Sequence, residues 1–332
     1  MLKKLIFTKR ALAAAAFIFT SLLPAFGEDA FPARPIKLIV PYSPGSSADI
    51  SARRVGEAMS KTLGKPIIVE NVAGAGGVVG TMRFLQQPAD GYTLLAGAIA
   101  THAINVGLYK TLPYDPVKDF APISRISSFP NVLVVHPSVN ARTLPELVSL
   151  LKKRTVDQAP LSFGSGGKAT TAHLGGELLK LVTGADLIHV PYASVAVAVP
   201  DLLAGRVSML FGNMPVVQPF IEKGSLIAIA NTGATRSPLL PSVLTVKEQG
   251  YEAMELSAWI GLFAPAGTPP AVVKQLHAAA KAAVATPEVR ESFRTLGATP
   301  ESDASPEDFG KFINEEIKRW VGVIKAAGIK PE

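Results

Sequence analysis

Two stretches of this sequence combine residue types that can hold an anion without a metal or a charged clamp. The first is Tyr42-Ser43-Pro44-Gly45-Ser46-Ser47-Ala48-Asp49, where hydroxyls and a glycine lead into a helical pattern. The first N–H groups of a helix have no intrahelical partner, and the positive end of the helix dipole lies there too. A carboxylate or phosphate suits that environment. The second is Gly164-Ser165-Gly166-Gly167-Lys168, which opens another helical pattern in the other half of the chain. The plainer reading of such a junction is a capping Asp49 and a turn at Gly45, with no ligand at all. Nucleotide readings fail on spacing. A Walker A ending at Gly167-Lys168 needs glycine at 162 and Ser or Thr at 169, where the chain has Ser162 and Ala169. The Gly74–Gly80 run has Val79 where a dinucleotide fingerprint needs its third glycine. There is no G-x-S-x-G elbow.

The five histidines, at 102, 136, 173, 189 and 277, are scattered. His173 and Glu177 are four apart and share a helix face, but one such pair without further ligands is a polar contact, not a metal site. No nucleophile, base and orienter assemble along the chain. We therefore expect no catalytic residues, no metal and no cofactor.

The elements that must position these groups follow an α/β rhythm. Ile36–Val40, Ile67–Glu70 and Tyr92–Gly97 read as short buried strands, with helices from about Asp49 to Leu63 and from about Gly80 to Gln87 between them. Such a series argues for a parallel sheet with helices on its faces. Residues 98–130 read as loop-rich because of turn chemistry such as Leu112-Pro113-Tyr114-Asp115-Pro116. A second strand set begins at Asn131–Val135 and continues with Leu161–Phe163, Asp186–Tyr192 and Val207–Asn213. Helices are expected from Thr143 to Arg154, after Lys168 to Leu181, and from Val197 to Ala204. An apolar strand near Trp259–Pro265 precedes a helical tail. The Gly/Ser loop therefore occurs once in each half, and the two copies could face each other across a cleft.

Composition narrows the class. The 332 residues are enough for one large or two medium domains. Lys3, Lys4, Lys9 and Arg10 precede an apolar run, Ala11–Phe19, and Ala25-Phe26-Gly27 supplies small residues at a cleavage position. This pattern reads as a signal peptide, residues 1–27, cleaved after Gly27, and the apolar run is shorter than the roughly 20 residues a membrane span needs. Without it the chain carries 29 basic and 26 acidic side chains, so most of the +7 charge belongs to the targeting segment. No basic block with interleaved aromatics suggests nucleic acid. The absence of cysteine excludes disulfides, thiolate sites and a lipid-modified cysteine.

An ordered set of short motifs resembles a known family. It comprises Pro35-Ile36, Val40-Pro41-Tyr42, Pro44-Gly45, Asp49 and Ala52-Arg53, then Val69-Glu70-Asn71 and Gly74-Ala75-Gly76-Gly77, then Asp90-Gly91-Tyr92-Thr93-Leu94-Leu95. It continues through Gly164-Ser165-Gly166, His173-Leu174, Gly176-Glu177, His189-Val190-Pro191-Tyr192, Asp201-Leu202-Leu203 and Trp259 to Gly267-Thr268-Pro269. Together these resemble the Bug-type extracytoplasmic solute receptors of tripartite tricarboxylate transporters over nearly the whole mature chain. The resemblance implies a two-domain periplasmic-binding-protein fold, type II-like, with a mainly parallel, helix-flanked sheet in each domain and two chain crossovers. It implies a small carboxylate (an organic acid, an acidic amino acid or an aromatic acid) in the cleft between domains, held largely by backbone N–H groups and hydroxyls. It also implies delivery to membrane permease subunits, or to a membrane sensor, by a monomer. Two departures stand out: Ser46-Ser47 where the family is often richer in glycine, and Ala193-Ser194 where Lys-Gly commonly follows the Pro-Tyr pair. A secreted α/β enzyme acting on a small acid through Ser46, Ser47 or His173 is the alternative.

On this reading residues 33–130 and 250–332 form domain one and 131–249 domain two. Ligand contacts are expected at Tyr42, Ser43, Gly45, Ser46, Ser47, Asp49, Thr101, His102, Gly164, Ser165, Gly166, Gly167, Lys168, His173, Tyr192 and Asn213. All sit near strand ends, where open α/β sheets bind ligands. Asp49 is expected to hold its loop by bonding backbone N–H groups unless the ligand carries an amine, Trp259 to lie in the core, and Arg53→Ala to change affinity only slightly.

Overall fold

Strand β1 (Ile36–Val40) pairs in parallel with β2 (Ile67–Asn71) on one side and β3 (Thr93–Ala98) on the other. A computed structural model describes residues 31–153, 159–167 and 170–331; residues 1–27, expected to be a signal segment, and Lys168 lie outside them. Arg34–Glu332 is one compact unit. Helix α1 (Ser47–Leu63) follows β1, capped by Ser46, whose hydroxyl accepts from Asp49 N. Gly64 ends it in the left-handed conformation that a side chain disfavours. Helix α2 (Val78–Leu85) leads into β3.

The largest departure from the sequence reading is β4, which runs from Phe120 to Val135, so residues 120–130 are strand and not loop. Its prolines suggested otherwise, because proline cannot donate to a ladder. The register against β9 (Ser257–Pro265) shifts between Pro122 and Ser124 and again between Arg125 and Ser127, and such irregularities accommodate proline and bend the strand. Residues Phe120–Pro130 pair with β9, and with β10 (Thr299–Pro300). From Asn131 to Val135 the same strand pairs with β7 (Met209–Asn213) and β8 (Ile227–Asn231). Strand β5 (Leu161–Ser165) then joins β7 and β6 (Leu187–Pro191) in parallel. The expected helix-flanked α/β fold is present, with a parallel trio in each half joined through antiparallel β4 and β9.

Strand direction decides where the loops go. β9 is antiparallel to both β3 and β4, so β4 runs the same way as β1–β3, and their C-terminal ends point towards Pro130. β7 is antiparallel to β4, so β5, β6 and β7 point back towards Asn131, where Asn213 pairs with Asn131. The two sets of C-terminal ends therefore converge on the position where β4 changes partners. The second connection between the halves passes the same point. Thr232 N donates to Asn131 O at 2.8 Å, and the Thr232 hydroxyl accepts from Asn131 N and reaches Leu256 O at 2.6 Å.

The period of two along β4 sets the cores. Leu133 and Val135 join Phe163, Met209 and Phe211 against α3 (Leu144–Lys153) on one face of the second sheet. Val132 and Val134 join Leu210, Ala198 and Val217 on the other, beneath α5 (Val195–Leu203) and α6 (Met214–Glu222). On the first sheet Phe84, Phe263, Phe309 and Trp320 form a core under the C-terminal helix α9 (Pro306–Ala326); α7 (Pro270–Ala285) and α8 (Pro287–Thr295) precede it. Trp259 is in that core, as expected. Leu174 and Leu178 of α4 (Thr171–Thr183) also enter it, so a helix of the second half packs into the core of the first. Among the described residues no helix is long and apolar enough to cross a membrane.

Candidate functional site

The first loop is held from beneath by one carboxylate. Asp49 is buried, its Oδ2 accepts from Gly45 N at 2.9 Å, and its Oδ1 accepts from Asn71 Nδ2 at 2.9 Å. Asn71, at the end of β2, also donates to Tyr42 O at 3.1 Å, which fixes the start of the loop. Arg53 completes the set: Nε lies 2.9 Å from Asp49 Oδ1, and a terminal nitrogen donates to Asn71 Oδ1 at 2.9 Å. Burial alone would raise the Asp49 carboxyl, but the bonds from Arg53, Gly45 and Asn71 hold it below its ordinary value. Asp49 thus takes the loop-holding role expected of it. The Arg53 guanidinium is one of the groups that orient Asp49. Ser43 and Gly45 are exposed and Ser46 and Ser47 half-buried, so hydroxyls and backbone donors remain at the surface of the loop.

Behind it, Tyr42 turns its hydroxyl inward, buried and without a hydrogen-bond partner among the described residues. Burial pushes that phenol above its ordinary range. The packing here needs Gly77, at φ +94°, because a Cβ would lie 2.6 Å from the Thr101 methyl and 3.2 Å from the Tyr42 hydroxyl. Thr101 and His102 are fully buried. Thr101 Oγ1 bonds Ala98 N and O and lies 2.8 Å from His102 Nδ1. The His102 ring stacks 3.8 Å from Phe263, and burial pushes its pKa down to about 3, so it is neutral. The structure therefore places this expected pair in the core behind the loop and not on its surface.

The second loop is tied by Ser165. Its hydroxyl is buried, lies 2.7 Å from His189 Nε2, accepts from Gly167 N and reaches Gly167 O, both at 3.1 Å. The Ser–His contact has the form of a nucleophile and base, but the hydroxyl is closed inside the loop it organises. Gly167, at φ +109°, is also bonded through its carbonyl to the Thr170 hydroxyl, and Thr170 caps α4 by accepting from His173 N. His173 stacks on His189 at 4.0 Å and lies 3.6 Å from Glu177 Oε1. Burial alone would raise Glu177, but the bonds from His173 and Lys180 hold it low. Among the described residues no group of His, Asp and Glu could hold a metal.

Tyr192 continues the site: its N–H donates to Ser165 O, and its ring covers Gly164, where a Cβ would lie 3.5 Å from it. Its hydroxyl donates to Asp201 at 2.8 Å, so ring carbons and not the hydroxyl lie against Gly164. Gly166 lies against Ser194 and Val195, the start of α5. Asn213 is exposed at the start of α6, facing Asn131 at 3.4 Å. Sequence reasoning did not name Asn71, Gly77, Asn131, Thr170 or His189 as site residues. Asn71, Gly77 and His189 stood inside the family motifs, which was their one signal, whereas Asn131 and Thr170 acquire their parts through register and capping alone.

Residues 51–329 match the profile of the TctC family, described as the tripartite tricarboxylate transporter family receptor. Protein BugT of Bordetella pertussis is 38% identical over 316 residues, covering 95% of this chain and 96% of that protein. An R. palustris protein solved with adipate is 33% identical with a TM-score of 0.75, covering 91% of this chain and 100% of the other. MatC from Rhodopseudomonas palustris, solved with bound malate, is 31% identical with a TM-score of 0.69, covering 89% and 100%.

Proposed function

Since this chain belongs to the tripartite tricarboxylate transporter receptor family, we propose that it captures a small carboxylate between its two Gly/Ser loops and hands it to a membrane permease. The observation that carries this reading is the convergence of both loop sets on the crossing at Pro130–Asn131, each presenting helix-start N–H groups. Relatives solved with adipate and malate support a carboxylate of that size. The direct contacts in this reading are Ser43, Gly45, Ser46 and Ser47 on one side, and Gly166, Gly167, the Tyr192 ring and Asn213 on the other. Lys168, outside the described residues, adds a cation if its side chain turns to the ligand. Asp49, Arg53, Ser165, His173 and His189 hold the loops in place.

The halves act as domains: residues 33–130 with 250–332, and residues 131–249, hinged where β4 and the Thr232–Leu256 connection pass together. The protein is exported, cleaved after Gly27, monomeric and without catalytic activity. Differential scanning fluorimetry with a carboxylate panel that includes adipate and malate tests the ligand class, because a ligand that prefers the folded state raises its stability by mass action. A raised melting temperature with the acid recovered unchanged supports the reading. Turnover of the acid, or no response to any carboxylate, overturns it.

A further inference from the structure

Tyr192 supplies the one aromatic ring assigned to the ligand, and two side chains outside both loops fix where that ring lies. Its backbone is tied first: Tyr192 N donates to Ser165 O at 3.0 Å. Its ring lies beside Gly164, where a Cβ would stand 3.4 Å from Ala198 Cβ and 3.5 Å from a ring carbon. The half-exposed ring also packs on the core of Val132, Ala198 and Leu210. Packing on one side alone leaves a tyrosine free to swing. The hydroxyl ends that freedom by donating to Asp201 Oδ2 at 2.8 Å.

Asp201 stands near the end of α5, and the way that helix stops completes the clamp. Gly205, at φ +69°, reverses the chain, and Arg206 N then donates back to Asp201 O at 2.8 Å. The same turn brings the Arg206 guanidinium to the Asp201 carboxylate. A terminal nitrogen of Arg206 donates to Oδ1 at 2.8 Å, which leaves Oδ2 to the Tyr192 hydroxyl. The bonds from Tyr192 and Arg206 hold the Asp201 carboxyl below its ordinary value, while burial and then Asp201 push the Tyr192 phenol above its own. At neutral pH the contact is therefore a phenol donating to a carboxylate, and hydrogen bonds to charged groups are the stronger kind.

We propose that Asp201 is a positioning residue of the ligand site: it holds the Tyr192 ring still beside Gly164, so that the acid meets a wall already in place. Arg206 assists by orienting the carboxylate, and neither side chain touches the ligand. The proposal rests on the carboxylate reading above. What the clamp supplies is preorganisation, because a side chain that must be immobilised on binding lowers affinity about two- to twelvefold. A purely electrostatic part for Asp201 has the opposite sign, since removing a negative charge near a bound acid strengthens binding.

Calorimetry with adipate compares the unmodified protein with Asp201→Ala, Tyr192→Phe and the double variant, each checked for folding by circular dichroism. Tyr192→Phe keeps the ring and deletes the same bond from the other side. Each single variant should bind adipate about two- to twelvefold more weakly, and the double variant no more weakly than the weaker single one. A second readout needs no ligand. The chain has six tyrosines, so the protein is labelled with fluorotyrosine and the Tyr192 fluorine resonance is identified by its absence from Tyr192→Phe. That resonance should move in Asp201→Ala. Unchanged or tighter adipate binding by folded Asp201→Ala, losses that add in the double variant, or a fluorine resonance that stays in place overturns the proposal alone. No adipate binding by the unmodified protein overturns the carboxylate reading and the proposal with it.

Discussion

Asp49 carries more of the first loop than any other side chain, because one carboxylate orients Gly45, Asn71 and Arg53 together. Its folded-state pKa lies below the ordinary value, so the unfolded chain binds that proton more tightly. The stability it contributes is present above the unfolded-state pKa and lost as pH falls through the folded one. Asp49→Asn should therefore be less stable than the unmodified protein at neutral pH, and the gap should close below about pH 4. Urea denaturation across a pH series checks this, and a gap that does not change with pH refutes it. Ser46 tests the surface of the same loop. Its hydroxyl caps α1 by accepting and is left free to donate outward, so Ser46→Ala should weaken carboxylate binding roughly 10- to 150-fold, the worth of one hydrogen bond to a charge. Arg53→Ala acts only through Asp49 and Asn71, from a half-exposed side chain, and should lose much less. Calorimetry with adipate compares the two; a larger loss in Arg53→Ala means that charge and not the helix start binds the acid.

At the scale of elements, the decisive strand is β4, which serves two sheets in turn. Thr232 secures the point of change: its hydroxyl serves Asn131 N, Asn131 O and Leu256 O, all within the buried crossing. Thr232→Val keeps the shape and removes every one of these bonds, leaving a buried N–H without its partner. The expected cost is about 1–3 kcal/mol, read from the urea midpoint. An unchanged midpoint means the crossing is held by packing alone. Several helices were legible in the sequence because their caps are local, but α6 (Met214–Glu222) was not read, and the cap of α1 is Ser46 and not the expected Asp49. Ser46 and Gly64 bound α1, and Thr286, Pro287, Ser305 and Pro306 set the starts of α8 and α9. The first half of β4 was not legible, because its prolines are accommodated only by register shifts against β9.

For the whole molecule, ligand binding should change shape as well as stability. Loops from both halves face one crossing, so an acid engaged by both draws them together. Small-angle scattering should show a smaller radius of gyration with saturating adipate. An unchanged radius, in a sample whose melting temperature rises with adipate, means that one loop binds alone. Sedimentation in the same buffer should return a monomer.

The sequence by itself determined what is local or ordered along the chain. Two Gly/Ser loops open helices, Asp49 sits where a loop-holding carboxylate is needed, the α/β rhythm excludes an all-helical fold, and the run of motifs from Pro35 to Pro269 identifies the family. What it could not determine depends on direction and packing. His102 looked like a loop residue because it follows a strand, but stacking on Phe263 draws it into the core. Ser165 looked like a free hydroxyl, but Gly167 and His189 close around it. That the two loops share one crossing follows from the antiparallel setting of β9 and β7 against β4. Pairing direction is fixed by contacts between strands more than seventy residues apart, so only the folded chain could turn both sets of strand ends towards the same crossing.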